Sequence, residues 1–334
     1  MIHDARVLQD EFIPREVEHR DGEVNALSGA LQPVADGDRP DPVLLHGPSG
    51  AGKTCIAKFT VERLREQLVT FEHVYINCWH DYTRFRVLYR ILDAVGETLD
   101  IHRQSTPKDE LLSRVRDYDW PPTVVVLDEV DQLEDPELLY DLYSIPDLTM
   151  ILVANREEQL FVRLSQRLQS RLQCARRVRF DAYSFDELIG ILDARVEWGL
   201  RPDAIDRSEI ERIADAAAGD ARVAIGVLRN AARTAESEGT EHIRPEHVAD
   251  AVRETHVEVQ QKHREKLTPH QEVLYEIVES REEIAPGELY DSYRERVDDP
   301  RTERTLRNYL AKMEQYSLIV AEGERRGRRY RTPA

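Results

Sequence analysis

Short, continuously apolar runs alternate with amphipathic stretches along the first half of the chain, and the alternation stops near Tyr183. Pro42-Val43-Leu44-Leu45-His46, Val74-Tyr75-Ile76-Asn77-Cys78, Thr123 to Leu127 and Leu148 to Ala154 read as strands buried on both faces. Between and before them, apolar residues recur at helical spacing in Cys55 to Leu68, Phe85 to Leu92 and Lys108 to Tyr118. They do so earlier in a stretch holding Val24, Leu27 and Leu31, which Pro33, Gly37 and Pro40 close. Strands alternating with helices predict a parallel α/β sheet with helices packed on it.

Beyond Tyr183 the strands cease. Phe185 to Val196, Ser208 to Ala218, Ala221 to Ala235 and a helix opened by Arg244-Pro245-Glu246-His247-Val248 and reaching Val252 predict a small all-helical unit. His256 to Lys266 is polar and reads as a linker helix or a connector. Gln271 to Val278, Pro286 to Val297 and Thr302 to Tyr316 follow as helices, and Leu318-Ile319-Val320-Ala321 with Gly327 to Arg331 as a hairpin. Three helices and a hairpin make a winged helix, a relative of the helix-turn-helix. The predicted division is a nucleotide-binding core with an N-terminal arm over 1–181, a helical lid over 182–257 and a winged helix over 258–334.

At 334 residues the chain has room for two or three domains. Its formal net charge is −18, unevenly spread: from Arg301 onward the balance is +5, and the remainder carries −23. Forty arginines against six lysines, on a strongly acidic background, suggest a salt-rich cell interior. The basic excess falls on the winged helix. With Leu306, Leu310 and Met313 facing its core, Arg304, Arg307, Asn308 and Lys312 would point outward to a major groove, and Arg325, Arg326, Arg328 and Arg329 on the wing would meet phosphates or a minor groove. No apolar stretch approaches a membrane span, the charged N-terminus does not read as a signal peptide, and Cys55, Cys78 and Cys174 have neither disulfide nor zinc spacing. The expected location is cytoplasmic and nucleoid-associated, with no membrane partner.

The chemistry centres on Gly47-Pro48-Ser49-Gly50-Ala51-Gly52-Lys53-Thr54, a complete phosphate-binding loop between a strand and a helix. Its glycines allow backbone N–H groups to turn toward a phosphate, Lys53 reaches the β- and γ-phosphates, and the Thr54 hydroxyl can hold Mg²⁺. Asp128 and Glu129 end the next acidic strand, where ligands bind in open α/β sheets. Asp128 would coordinate Mg²⁺ through water and Glu129 would orient and polarise the attacking water. Asn155, ending another strand, would hydrogen-bond the γ-phosphate or that water. Arg167 and Arg171 share a helical face and are either an arginine finger for a neighbouring subunit or a solvated surface. Asp220 caps a helix from whose first turn Arg222 projects, toward the γ-phosphate or to solvent. His19 and Arg20 either border the nucleotide base or cap a helix start.

These pieces together resemble the archaeal replication initiators related to eukaryotic origin recognition complex subunits and the helicase-loading cell-division-control factor. The resemblance rests on Pro14-Arg15, His19-Arg20, residues 47–54, Tyr75-Ile76-Asn77-Cys78, Asp128-Glu129, Gly219-Asp220-Ala221-Arg222 and Glu288-Leu289-Tyr290-Asp291-Ser292-Tyr293, and it covers nearly the whole chain. It implies an AAA+ core, a lid and a winged helix, ATP or ADP with Mg²⁺ as cofactor, and slow hydrolysis that serves as a switch. By it Asn155 is sensor 1, Arg222 is sensor 2, the finger lies at Arg171 or Arg167, and the helix from Thr83 to Leu92 is a DNA-contacting insertion with Arg84, Arg86 and Arg90. The implied partners are origin duplex DNA, the replicative minichromosome maintenance helicase and other initiator subunits on DNA. Two other readings stand beside it: an ATP-switched DNA-binding regulator that loads no helicase, and a protein-directed, clamp-loader-like ATPase, against which the basic hairpin argues.

Overall fold

The computed structural model describes residues 1–101, 106–323 and 327–333. Arg325 and Arg326, read above as wing contacts, lie outside the described residues. The chain divides into two compact units, Met1–Val252 and Arg253–Ala334.

The first unit is built on a five-stranded parallel sheet of β1 (Val43–His46), β2 (Glu72–Asn77), β3 (Thr123–Asp128), β4 (Leu148–Ala154) and β5 (Arg176–Arg179), in the order β2-β3-β4-β1-β5. Every residue of β3 and β4 is buried, which is why their sequences run apolar without alternation. Their side chains divide by parity. Leu44, Val125, Leu127, Met150 and Leu152 pack with α3 (Arg84–Ala94), α4 (Lys108–Asp117), α5 (Leu138–Tyr143), α6 (Glu157–Arg163) and α7 (Gln166–Leu172). Val43, Leu45, Val124, Val126, Ile151 and Val153 face α1 (Asp21–Ala35) and α2 (Lys53–Gln67). Pro33 sits in the last turn of α1 rather than after it.

Three elements here escape the sequence reading. β5 is Arg-Arg-Val-Arg, with only Val178 buried, so its apolar signal is a single residue. Short α5 and α6 lie inside stretches with too few turns to show a period.

The helical part of this unit comprises α8 (Phe185–Gly199), α9 (Arg207–Ala217), α10 (Ala221–Ser237) and the start of α11 (Pro245–Arg264) around their own core. A capping box at Ser184 and Glu187 starts α8. The N-terminal arm is strapped to these helices: the backbone N–H groups of His3 and Asp4 donate to the Gly199 carbonyl, Arg195 donates to Val7 and Phe12 carbonyls at 2.5 and 3.4 Å, and Arg229 pairs with Asp10 at 3.2 Å. Of the two readings of His256–Lys266 the linker helix holds, since most of the stretch continues α11 to Arg264.

The second unit carries α12 (Pro269–Glu279), α13 (Pro286–Arg296), α14 (Glu303–Gln315) and an antiparallel hairpin of β6 (Val320–Glu322) and β7 (Arg329–Arg331), and an Ile284–Tyr330 bridge ties β7 to the segment before α13. This is the winged-helix arrangement. Leu306, Leu310 and Met313 are fully buried, as their spacing predicts. Replacing Leu310 with Ala should cost about 2–5 kcal/mol through the cavity left behind, read as an earlier urea-unfolding transition of the intact chain; an unchanged profile would show that Leu310 is not a core residue.

Candidate functional site

The loop from Gly47 to Gly52 is shaped by neighbours that leave no room for side chains. Gly47, Gly50 and Gly52 all have positive φ, at 151°, 69° and 91°. A Cβ on Gly47 would collide with the Phe180 carbonyl, and one on Gly50 with the Asp220 carboxylate. A backbone so bare and tightly turned presents N–H groups to a phosphate, and α2 begins directly behind it.

Lys53 is buried, and its ammonium donates to the Gly47 and Pro48 carbonyls, both at 2.7 Å, and to Asn155 Oδ1 at 3.0 Å. Burial pushes its pKa below the usual lysine value, while the Glu129 and Asp128 carboxylates pull it back up. Asn155 passes the connection on, donating from Nδ2 to Glu129 Oε2 at 3.0 Å. Glu129 stands just past β3 with φ of 54°, a left-handed conformation uncommon for Glu, which turns its side chain off the strand direction. The ends of β1, β3 and β4 thus bring Lys53, Glu129 and Asn155 into one polar chain.

Asp128 anchors a second cluster. The Thr54 hydroxyl donates to Asp128 Oδ2 at 2.8 Å, the Tyr75 hydroxyl donates to the same oxygen at 2.6 Å, and the Glu129 N–H donates to Oδ1 at 2.9 Å. A hydroxyl and a carboxylate are hard oxygen donors of the kind Mg²⁺ takes, with phosphate and water completing the shell. The glycine cradle and this donor set therefore fit a nucleotide with Mg²⁺. Tyr75 was not singled out in the sequence, although period-two alternation from Asn77, which pairs with Asp128, puts Tyr75 on the same strand face.

The lid reaches this loop at α10. Asp220 accepts from the Arg222 and Val223 N–H groups at 2.8 and 3.2 Å, capping the helix, and the Ala221 N–H donates to the Gly50 carbonyl at 3.2 Å. Arg222 is partly buried in the first turn of α10, and among the described residues its guanidinium has no ion-pair partner. Arg20 is buried: it pairs with Glu23 at 2.7 Å, donates to the Asp181 carbonyl at 2.6 Å and stacks 4.0 Å from the Tyr183 ring centre. Its side chain caps nothing. His19, exposed at φ 59°, lies close enough to Gly190 to exclude a Cβ there.

Arg167 and Arg171 both project from α7 onto Tyr140, with Arg171 also near Tyr143; the Arg167 guanidinium stacks at 3.7 Å and also donates to the Tyr140 hydroxyl. On α3, Arg84 is held by Asp135 and Asp141, while Arg86 and Arg90 are exposed, Arg86 donating to the His80 carbonyl and Arg90 pairing with Asp81. On the winged helix Arg307 pairs with Glu303, Arg328 with Glu314 and Arg329 with Glu283, whereas Arg304 and Asn308 are exposed.

A phosphate-binding loop, a following acidic strand and a helical lid docked on the loop define an AAA+ ATPase. Comparison with known families agrees: residues 37–172 match the AAA domain family and residues 189–253 the Cdc6 AAA+ ATPase-type lid. ORC1-type DNA replication protein 9 of Halobacterium salinarum is 53% identical over 330 residues, 99% of this chain and 93% of that protein. ORC1-type DNA replication protein 1 of the same organism is 55% identical over 308 residues, 92% of this chain and all of that protein. The chain belongs to the archaeal Orc1/Cdc6 family of DNA replication initiators. Among solved structures, Aeropyrum pernix ORC1 in complex with DNA superposes with a TM-score of 0.77 at 25% identity, covering 100% of this chain and 94% of that one. The ADP form of Aeropyrum pernix ORC2 gives 0.66 at 25% identity over 99% and 94%. No helix among the described residues is long and apolar enough to cross a membrane.

Removing the lid's cap tests the local geometry. Asp220→Ala should destabilise the chain by about 1 kcal/mol, read from the thermal unfolding midpoint, and an unmoved midpoint would contradict the capping role.

Proposed function

We propose that this protein binds ATP with Mg²⁺ at residues 47–54 and Asp128, and that nucleotide state controls how its winged helix engages origin duplex DNA. There it would help recruit the replicative helicase. The observation that carries this reading is the chain Lys53–Asn155–Glu129 at the strand ends, because it links the phosphate loop to the acid suited to orient water. Thr54 and Asp128 would hold the metal, which supplies charge neutralisation on the phosphates. Arg222 and Asn155 would read the γ-phosphate. Arg20, engaged with Tyr183 and Asp181, would shape the wall near the base, with His19 beside it.

Glu129 Oε2 accepts from Asn155 Nδ2, so the acid is tethered beside the Lys53 ammonium. That arrangement favours slow turnover and a long-lived ATP state, making nucleotide a switch. Arg171 is the better candidate for a finger acting on a neighbouring subunit, since Arg167 is both stacked on Tyr140 and bonded to its hydroxyl. On DNA, Arg304 and Asn308 of α14 with Arg328 and Arg329 of the wing would form the winged-helix contacts. Arg86 and Arg90 would supply the insertion's contacts, and Arg84 would hold α3 to Asp135 and Asp141. The Aeropyrum pernix ORC1 complex with DNA supports the partner class.

Two experiments test the halves separately. Glu129→Gln should retain ATP binding while lowering single-turnover hydrolysis by about 10²-fold or more; hydrolysis at the parent rate would remove Glu129 from the chemistry. Arg304→Ala combined with Arg328→Ala should weaken binding to duplex DNA in molar KCl, measured by fluorescence anisotropy. Unchanged affinity would remove the winged helix from the DNA interface, and intact DNA binding without helicase recruitment would identify a regulatory relative instead.

A further inference from the structure

We propose that Tyr75 is a positioning residue for the metal site: its hydroxyl locks the Asp128 carboxylate in the orientation that receives Mg²⁺ beside Thr54. The inference rests on the nucleotide–Mg²⁺ reading above and concerns a residue that reading does not use.

Asp128 has one oxygen occupied by the Glu129 N–H and the other shared by two hydroxyls, from Thr54 at 2.8 Å and Tyr75 at 2.6 Å. The Glu129 N–H is local, and the Thr54 hydroxyl belongs to the site itself. Tyr75 is therefore the donor that reaches Asp128 from a separate strand, and together the three contacts fix the carboxylate plane. β2 is an edge strand, and Tyr75 is only partly buried on it. Packing alone does not require a phenol there, because a phenylalanine fills the same space. The Lys58 ammonium of α2 lies over the ring, 4.0 Å from its centre, and does not touch the Asp128 contact. Hydrogen bonds from outside a metal's own ligands typically change metal affinity by about 10- to 100-fold when removed.

The test uses the full chain and a fluorescent ATP analogue, titrated with MgCl₂ from an EDTA-treated start. For Tyr75→Phe, nucleotide affinity without Mg²⁺ should stay within about twofold of the parent, while the Mg²⁺ concentration at half-effect rises by about tenfold. Lys58→Met keeps the hydroxyl and removes the cation over the ring, and its Mg²⁺ midpoint should match the parent. Thermal melting of both variants checks that each is folded. A Tyr75→Phe midpoint equal to or below the parent's overturns the proposal, as does an equal rise in Lys58→Met, which would assign the effect to local charge. If the parent protein binds nucleotide with no Mg²⁺ dependence, the metal reading itself fails; that result is distinguishable because it appears before any substitution is made.

Discussion

A lysine ammonium withdrawn from water is the constraint around which the nucleotide-binding unit is arranged. Burying an unpaired charge is prohibitively costly, so Lys53 must be surrounded by oxygen acceptors. The Gly47 and Pro48 carbonyls provide two of these only because the loop turns tightly, and that turn requires the glycines. Asn155 provides the third from the end of β4, whose pairing with β1 sets the distance. Glu129 then follows from Asn155, held by its amide and turned there by a left-handed backbone. A γ-phosphate offers Lys53 stronger partners than two carbonyls, so nucleotide binding has a ready means of rearranging this chain.

The lid shares that loop. Gly50 carries both the close approach of Asp220 and the bond from Ala221, so the start of α10 lies directly on the segment that wraps a phosphate. Arg222 leaves from that same first turn. The arm that precedes α1 is tied to α8 and α10 through Arg195 and Arg229, and Arg20 closes the far side against Tyr183. Lid, arm and loop are therefore joined by direct contacts around the phosphate loop.

Much of this was legible in the sequence because β3 and β4 are buried on both faces and the phosphate loop has its full pattern. β5 was not, since three of its four residues are arginines on an exposed edge. The polar second half of α11 left a linker helix and a connector both open, because a solvated helix has no apolar period to mark its length. Partnerships across long sequence separations were also invisible. Arg84 looks like a free basic residue until the fold brings Asp135 and Asp141 to it. The same is true of Arg329 and Glu283. Tyr75 reads as a strand residue, and only the register of β2 against β3 brings it to Asp128.

The account's central claim is that occupancy of the phosphate loop governs DNA engagement. The most direct measurement is the affinity of the intact chain for a panel of chromosomal duplex fragments in molar KCl, with ATP, with ADP and without nucleotide. The account predicts selective binding to a small set of fragments and an affinity that changes with the nucleotide. Equal affinity in all three nucleotide conditions, or no fragment bound in any of them, would contradict it.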